Sequence, residues 1–278
     1  MKIKDLKNQF ETELENSFSK NELQFLFPIF MEEILLISQD DLRFKDFEWV
    51  AGSKEKWESS ISELKKGIPY QYVLGSTVFY GMKIKVNENT LIPRPETEEL
   101  LDFISKDGMG IPGSIADFGC GSGCISLALK KIFPPSIVHA YDISSAALEI
   151  ANQNSTDANL PVEFAILDLL NHENLNKTFD LIVSNPPYVR ELEKKEMSNG
   201  VLDFEPHLAL FVKDTDALIF YAALERIGQQ CLNENGTMYF EINQYLAMET
   251  KSLFGNKGWE TELIRDMSGN WRFLKVWK

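Results

Sequence analysis

One short stretch of the chain combines a polar side chain with rigid surroundings. Residues 179–184 are mostly apolar and rich in branched side chains, and Asn185, Pro186, Pro187 and Tyr188 follow them directly. The run predicts a buried strand. The prolines end that strand because neither can donate a hydrogen bond to a neighbouring strand. We therefore expect Asn185 at the carboxyl end of a core strand, the edge of an α/β sheet where ligands bind.

The carboxamide of Asn185 suits recognition of a planar –NH2 group, which is a weak nucleophile because its lone pair is delocalised. The Asn185 oxygen and a backbone carbonyl freed by Pro186 and Pro187 can accept both N–H groups. This orients the nitrogen and stabilises its developing positive charge, while the face of Tyr188 covers the group. A plain Asn-Pro turn followed by a core aromatic residue fits the same four residues.

A glycine-rich turn lies upstream, after another predicted strand. Its backbone can approach a ligand closely and point N–H groups at it. Cys124 stands where the dinucleotide fingerprint requires glycine, and the acidic Asp117 favours an ammonium or sulfonium over a pyrophosphate. Both features argue against a nicotinamide dinucleotide. The residues of this turn that we expect to contact a cofactor are Asp117, Gly119, Cys120, Gly121, Ser122 and Gly123.

Acidic residues end the next two predicted strands. Asp142 is placed to accept hydrogen bonds from two ribose hydroxyls, and Asp168 with Leu169 could meet the amine and face of an adenine. Each acid alone is better explained as a cap or turn residue. With the glycine turn and Asn185 at consecutive strand ends, they predict an S-adenosylmethionine site facing an amide or amine nucleophile.

The elements that position these residues alternate between strand and helix from residue 114 onward, which is typical of a parallel α/β sheet. Helices are predicted at 122–133, 144–153, 215–232 and 244–254. Strands are predicted at 114–118, 138–142, 162–167, 179–184 and 237–242, with a closing antiparallel pair at 259–265 and 271–277.

Residues 1 to about 70 predict a small helical bundle, with partner recognition and plain structural support both open as its role. A second helix, within 23–37, is expected to start or kink at Pro28, and a third begins after Ser53 and stops at Gly67. Residues 69–89 predict a β-hairpin. The first helix shows an apolar stripe at spacings of three and four, formed by Ile3, Leu6, Phe10, Leu14 and Phe18.

The segment around Pro95 supports two interpretations. Proline at the first helical position, followed by acidic residues, is typical of a helix start. Alternatively, Arg94, Glu96 and Thr97 form the edge of a binding pocket. Local signals do not separate the two.

Composition narrows the function classes. The net charge of −14 argues against a nucleic-acid backbone as partner and suits a small ligand or a basic protein. No apolar run is long enough to span a bilayer. Three cysteines without metal spacing predict no metal site and a reducing, cytoplasmic environment. No general base is evident: His139 and His172 are expected to be structural, and His207 has no assigned role.

Several sequence blocks together make the chain resemble the PrmC/HemK family of peptide chain release factor glutamine methyltransferases. The resemblance covers nearly everything from residue 69 to residue 241. Its blocks are Pro69-x-Gln71-Tyr72-x-x-Gly75, Phe79-Tyr80-Gly81, Leu91-Ile92-Pro93-Arg94-Pro95-Glu96-Thr97-Glu98, Asp117-x-Gly119-x-Gly121-Ser122-Gly123, Ser184-Asn185-Pro186-Pro187-Tyr188 and Phe204-Glu205-Pro206-x-x-Ala209-Leu210. One departure is Asn243, where the family usually has a small residue.

The resemblance implies a helical domain at 1–70 that recognises release factors, a β-hairpin connector at 71–92 and a Rossmann-like methyltransferase domain at 93–278 with a seven-stranded mixed sheet. It implies methylation of the side-chain nitrogen (N5) of the glutamine in the Gly-Gly-Gln motif of class 1 release factors. S-adenosyl-L-methionine is the donor and S-adenosyl-L-homocysteine the product. We expect a cytoplasmic monomer that binds no nucleic acid and no membrane.

Carried over residue by residue, Asp117 and the glycines hold the methionyl part of the cofactor, and Asp142 holds the ribose. Asp168 and Leu169 border the adenine. The residues from Asn185 to Tyr188 bind the glutamine amide, and we add Arg94 and Glu96 as substrate-binding residues.

Three other functions remain to be weighed. An adenine-N6 methyltransferase would use the same Asn-Pro-Pro-Tyr stretch on a flipped base, but it would need a basic groove. A non-catalytic protein could dock on a release factor or ribosome through the helical region. A nicotinamide dinucleotide binder is disfavoured by Cys124.

Overall fold

The computed structural model describes residues 2–38, 40–41, 46–171, 175–197 and 199–278, without the side chain of residue 199. The expectation for His172 therefore lies outside the described residues. The chain forms two compact units. The first comprises the residues up to Gly75 and the segment that ends at Phe204, and the second comprises Ser76–Met197 and Glu205–Lys278.

The α-helices follow the chain in ten segments within the described residues. None of them is both long enough and apolar enough to cross a membrane. They are α1 Ile3–Leu14, α2 Lys20–Leu35, α3 Ser53–Lys65, α4 Tyr70–Leu74, α5 Pro95–Lys106, α6 Cys124–Ile132, α7 Ser145–Ala158, α8 Asn199–Phe204, α9 Ile219–Cys231 and α10 Ala247–Gly255.

The strands form three sheets, of which the largest carries the candidate site. The described strands are β1 Ser76–Phe79, β2 Met82–Lys85, β3 Ser114–Phe118, β4 Ile137–Asp142, β5 Glu163–Ile166, β6 Phe179–Ser184, β7 Val189–Arg190, β8 Phe211–Val212, β9 Leu232–Glu241, β10 Glu260–Arg265 and β11 Trp271–Trp277.

The first unit packs its helices around an aromatic cluster. The predicted stripe is buried along α1 through Ile3, Leu6, Phe10 and Leu14, whereas Phe18 lies beyond the end of the helix and is only partly buried. The ring of Phe10 lies 5.6 Å from the rings of both Phe27 and Trp57. Aromatic pairs at this separation stabilise the fold beyond the contribution of their buried apolar area. The helical character predicted for this region is confirmed.

Helix α2 begins earlier than the position of its proline suggested. Ser19 caps the helix by accepting from the backbone N–H of Glu22, whose side chain accepts from the backbone of Ser19 in return. This capping box supplies a stronger start signal than Pro28, which lies inside the helix. A start at Pro28 is therefore wrong.

The second unit contains a seven-stranded mixed sheet in the order β10-β11-β9-β6-β3-β4-β5. Strands β9, β6, β3, β4 and β5 run parallel, while β10 and β11 form the antiparallel closing pair. The predicted α/β fold class is confirmed. The bounds of β3, β6 and β11 agree with the predicted ones, whereas β9 begins five residues earlier, at Leu232 rather than 237.

The hairpin β1–β2 belongs to the second unit. Its two turn residues, Tyr80 and Gly81, have φ values of +50° and +68°, as the two-residue turn of a tight hairpin requires. The side chain of Asn154 on α7 accepts from Lys85 N at 2.7 Å and donates to Ser122 O at 2.9 Å. This side chain ties the hairpin to the glycine turn.

Candidate active site

The register of the parallel strands brings their carboxyl ends to one edge of the sheet. Phe118 at the end of β3 pairs with Tyr141 on one side and Ser184 on the other, and Ser184 pairs with Phe240 on β9. The residues that follow these strands therefore emerge side by side. Crevices at this edge are the usual ligand sites of open α/β sheets.

A cavity of about 300 Å³ opens at this edge. The structure brings eight of the predicted site residues together in its lining: Gly119, Gly121, Asp142, Asp168, Leu169, Asn185, Pro186 and Pro187. Other lining residues that we had not singled out include Glu88, Asn89, Phe118, Tyr141, Leu208 and Phe220. The remaining predicted site residues are not among those that line it: Arg94, Glu96, Asp117, Cys120, Ser122, Gly123 and Tyr188.

The glycine turn presents open backbone to the cavity. Gly119 and Gly121 have φ values of +76° and +53°, and a Cβ atom added to either would meet no atom within 4 Å. The N–H groups of Gly119 and Cys120 donate to the carbonyl of Tyr141 at 2.8 and 3.0 Å, which holds the turn in place. The empty space next to these glycines fits the close approach of a cofactor.

Gly123 and the two neighbouring cysteines instead serve packing. A Cβ atom at Gly123 would lie 3.1 Å from Cβ of Ala151 on α7. Cys120 and Cys124 are buried free thiols, and burial raises the pKa of Cys124 to about 12. A thiol of that pKa stays protonated and unreactive at neutral pH.

Asp142, for which the sequence predicted contact with a ribose, presents a carboxylate to the cavity. Its Oδ2 accepts from Gly121 N at 2.8 Å and its Oδ1 accepts from Ser144 N at 2.9 Å. Burial raises the pKa of Asp142, and the N–H donors oppose this shift. Each oxygen keeps a second acceptor position, so the carboxylate fits a pair of ribose hydroxyls.

Asp168 uses its carboxylate largely to shape its own turn. It accepts from Leu170 N at 2.9 Å and from the side-chain amide of Asn171 at 2.8 Å. Leu169 within this turn lines the cavity. The turn therefore offers an apolar face beside polar groups, as an adenine ring would need.

Asp117 lies beneath the glycine turn and is fully buried. Ser126 Oγ donates to its Oδ2 at 2.5 Å, whereas Oδ1 has no hydrogen-bond partner among the described residues. Burial raises the pKa of Asp117 to about 7, opposed by the Ser126 hydrogen bond. An unpaired buried carboxylate oxygen is costly and is a feature that a nearby cation would relieve.

Asn185 is half-buried at the cavity edge and contacts a chain of side chains behind it. Its Nδ2 donates to Thr97 Oγ1 at 3.4 Å, and Thr97 Oγ1 donates to Glu241 Oε2 at 2.7 Å. Tyr188 Oη donates to the other carboxylate oxygen of Glu241 at 2.8 Å. Burial, with a further contribution from Glu241, holds the pKa of Tyr188 well above its usual range.

Two motif blocks meet through an ion pair between a partly exposed arginine and a buried glutamate. Arg94 Nη2 lies 2.6 Å from Glu205 Oε1, and Glu205 Oε2 accepts from Ile92 N at 3.1 Å. Arg94 occupies the N-cap position of α5 and Pro95 the first helical position, so the helix start predicted at Pro95 is confirmed. The contact joins two segments that each supply cavity-lining residues, Leu91 on one side and Pro206 on the other.

Asn243, the residue that departs from the family pattern, braces the Asn-Pro-Pro-Tyr segment. Its Nδ2 donates to Tyr188 O at 3.0 Å and to Glu193 Oε2 at 2.8 Å, while its Oδ1 accepts from Tyr245 N. A small residue could make none of these bonds. Asn243 therefore occupies its position without disturbing the edge that holds Asn185.

Sequence reasoning missed Glu241 and Glu205 as partners of site residues. Glu241 carried one usable signal, because it ends a buried strand next to β6 and its carboxylate falls on the same edge as Asn185. Glu205 carried none beyond its place in a motif block, since its partners lie 111 and 113 residues away along the chain.

Comparison with known proteins places the chain among methyltransferases. The methyltransferase small domain family model matches residues 95–202. A release factor glutamine methyltransferase from Flavobacterium psychrophilum is 42% identical over 287 residues, which covers 99% of each chain. One from Bacteroides thetaiotaomicron is 40% identical over 232 residues, which covers 83% of each.

The fold is similar to that of a solved methyltransferase. The crystal structure of a methyltransferase from Pyrococcus furiosus is 17% identical, superposes with a TM-score of 0.52 and covers 82% of this chain and 98% of that one. The resemblance inferred from the motif blocks is confirmed by sequence identity that extends over almost the whole chain. The chain therefore belongs to the release factor glutamine methyltransferase family.

Proposed function

We propose that this enzyme methylates the side-chain amide nitrogen of the glutamine in the Gly-Gly-Gln motif of class 1 translation release factors. S-adenosylmethionine is the methyl donor. The observation that carries the proposal is the cavity itself, where the carboxamide of Asn185 shares one lining with Asp142 and the glycine turn. The residues proposed to hold the –NH2 group and those proposed to hold the nucleoside therefore line the same cavity.

The residues divide the work between two ends of the cavity. Gly119, Gly121 and Asp142 would hold the cofactor, and Asp168 with Leu169 would border its adenine. The bound cofactor supplies an electrophilic methyl group on its sulfonium.

At the other end, the oxygen of Asn185 accepts one N–H of the substrate carboxamide, and a backbone carbonyl of the proline segment accepts the second. These bonds turn the nitrogen lone pair toward the donor and stabilise the positive charge that develops on the nitrogen.

The cavity lining contains no histidine among the described residues. His139 packs in β4 against Glu163 and Lys177, and the ring of His207 stacks edge-on against Phe211. We infer that the proton departs to water, because an amide nitrogen becomes acidic once it is alkylated. The roles of Tyr188, Arg94 and Glu96 toward substrate stay predictions.

We propose that the helical region at 1–70 recognises the release factor and that the enzyme acts in the cytoplasm as a monomer. The negative net charge of −14 favours a protein partner with a basic surface over a nucleic acid. The hairpin at 71–92 would connect this region to the catalytic domain at 93–278.

The test is the intact mass of a purified class 1 release factor before and after incubation with the enzyme and S-adenosylmethionine. We expect a gain of one methyl group, located by peptide mapping on the glutamine of the Gly-Gly-Gln motif. A release factor with that glutamine replaced by alanine is the matched control, and duplex DNA is offered in parallel. Methyl transfer to DNA, or none to the release factor while the cofactor binds, would contradict the proposal.

A further inference from the structure

Two buried side chains, those of Thr97 and Glu241, lie behind Asn185. Thr97 lies in the first turn of α5 and Glu241 at the end of β9, and each is 2% exposed. Thr97 Oγ1 donates to Glu241 at 2.7 Å and accepts from Asn185 Nδ2 at 3.4 Å. The three residues form a continuous chain of hydrogen bonds from a buried carboxylate to the cavity.

The direction of this chain follows from the chemistry of its members. A carboxylate only accepts hydrogen bonds, so Thr97 must give its single hydroxyl proton to Glu241. The hydroxyl oxygen of Thr97 can then act only as an acceptor toward Asn185. Of the two ends of a carboxamide only the NH2 can donate, so the oxygen of Asn185 is directed away from Thr97.

We propose that Glu241, acting through Thr97, is a positioning residue that holds the oxygen of the Asn185 carboxamide toward the cavity as an acceptor. The inference rests on the proposed function, because only an –NH2 substrate needs an acceptor at this point. A carboxamide rotated by half a turn would present its own N–H groups to those of the substrate, which would repel them.

The surroundings of Glu241 keep it an acceptor. Its second oxygen accepts from Tyr188 at 2.8 Å, and the phenol stays protonated because its pKa lies well above its usual range. Burial raises the pKa of Glu241, and the hydroxyls of Thr97 and Tyr188, together with Arg272, oppose this shift. Both oxygens are therefore engaged by hydroxyl donors.

The hydrogen bond between Asn185 and Thr97 matters because of which atom donates and which accepts, more than because of its strength. At 3.4 Å it is longer than a typical hydrogen bond of about 3 Å, and such bonds in catalytic sites tighten when substrate binds. Loss of this chain of hydrogen bonds should therefore affect turnover far more than folding.

The test compares two substitutions at the central residue. Thr97→Val removes the hydroxyl at nearly constant volume, and Thr97→Ser keeps it. We expect kcat on a release factor to fall about 10- to 100-fold in Thr97→Val, the scale of a misplaced catalytic group, and to stay close to the parent value in Thr97→Ser. The affinity for S-adenosylmethionine, measured by calorimetry, should be the same in all three proteins.

Thr250→Val is the matched control. Thr250 is 0% exposed and donates its hydroxyl to Leu246 O at 2.8 Å on α10, away from the cavity lining. The same chemical change there removes a buried hydrogen bond without touching the chain behind Asn185. It should lower the midpoint of thermal unfolding, because a buried hydrogen bond is lost, and leave kcat unchanged.

Glu241→Gln tests whether the carboxylate of Glu241 sets the direction of these hydrogen bonds. A glutamine at this position can offer its NH2 to Thr97, which frees the hydroxyl proton of Thr97 to reach the oxygen of Asn185. We expect kcat to fall, by less than in Thr97→Val, because the glutamine can also present its oxygen to Thr97.

A second measurement needs no substrate. The side-chain NH2 of Asn185 can be followed by nitrogen-proton NMR, with the signal assigned by its loss in Asn185→Ala. We expect slow hydrogen exchange of this group in the parent and in Thr97→Ser, and faster exchange in Thr97→Val. Equal exchange in all three, or a Thr97→Val enzyme with parental kcat, would overturn the inference. If the parent enzyme did not methylate release factors, the proposed function would be rejected instead. The NMR comparison would still test whether Thr97 holds the carboxamide of Asn185.

Discussion

The two ends of the cavity are built in different ways. At the end proposed to hold the cofactor, the nucleotide end, Asp142 accepts from the backbone N–H groups of Gly121 and Ser144. These donors lie 21 and 2 positions away along the sequence. At the acceptor end, Asn185 is held by side chains: Asn185 and Thr97 are 88 positions apart along the sequence, and Thr97 and Glu241 are 144 positions apart. The first end is made by neighbouring loops, and the second requires three distant elements to meet.

This difference has a functional consequence. Backbone donors next to a glycine turn are held by the strands themselves and persist through most side-chain substitutions. A chain of side chains can be broken at any member without disturbing the sheet. We therefore expect cofactor affinity and turnover to respond to separate sets of substitutions, one at each end of the cavity.

The largest effect should come from Asn185→Ala, which removes the acceptor and leaves the nucleotide end intact. We expect kcat to fall about 100-fold or more, the scale seen when one group that stabilises developing charge is deleted. The measurement is the rate of methyl transfer to a release factor, with calorimetric binding of S-adenosylmethionine as the control for folding. More than about a tenth of the parental kcat, a loss below ~1.4 kcal/mol, would refute the role of Asn185.

Asp142→Ala should break the other end. A hydrogen bond to a charged group contributes about 1.5–3 kcal/mol. Because water can replace part of what the ribose hydroxyls lose, we expect a net loss on the scale of one such bond, so that the affinity for S-adenosylmethionine falls by roughly 10- to 100-fold. Calorimetry gives the affinity directly, and the KM for the cofactor should rise in parallel while kcat at saturation changes less. If Asp142→Ala lowered only kcat and left the affinity unaltered, the two ends of the cavity would not control affinity and turnover separately.

Asp117→Asn should change the stability of the protein and leave the separate control of cofactor affinity and turnover by the two ends of the cavity unchanged. Burial raises the native pKa of Asp117 to about 7 from 3.8. Between these values the native state keeps a proton that the unfolded chain has released. The free energy of unfolding therefore falls as the pH rises through this window, by up to ~1.4 kcal/mol per pH unit from this group, and levels off above it.

Asparagine at this position keeps an acceptor for Ser126 and cannot ionise, so this part of the pH dependence should disappear. Urea unfolding of the parent and of Asp117→Asn at several pH values measures it. Parallel stability curves for the two proteins across the window would mean that Asp117 is ionised throughout and that its burial costs less than inferred.

The nucleotide end could be predicted largely from the sequence. Glycines at alternate positions after an apolar run, and an acid at the end of the next run, are local patterns that carry their own physical reason. The same reasoning recognised Asn185, because two prolines restrict the backbone wherever they occur. Gly119, Gly121, Asp142 and Asn185 all line the cavity, although their individual roles stay predictions.

The acceptor end could be predicted only in part. Thr97 was considered as a pocket-edge residue, and the structure shows it buried behind the edge, in contact with Glu241. Asn243 looked like a departure from the family pattern and proves to brace the carbonyl of Tyr188. In both cases the local signal describes a helix start or a strand end and says nothing about the partner.

Periodicity and turn chemistry act over a few residues, and for that reason the chain by itself determined the alternation of strands and helices, the glycine turn and the proline-flanked asparagine. Tertiary structure alone decided which side chains stand behind that asparagine. Strand order places β9 beside β6 and the register sets Ser184 opposite Phe240, so that Glu241 reaches Thr97 across 144 residues of chain. No local pattern encodes a contact that depends on which strands are neighbours.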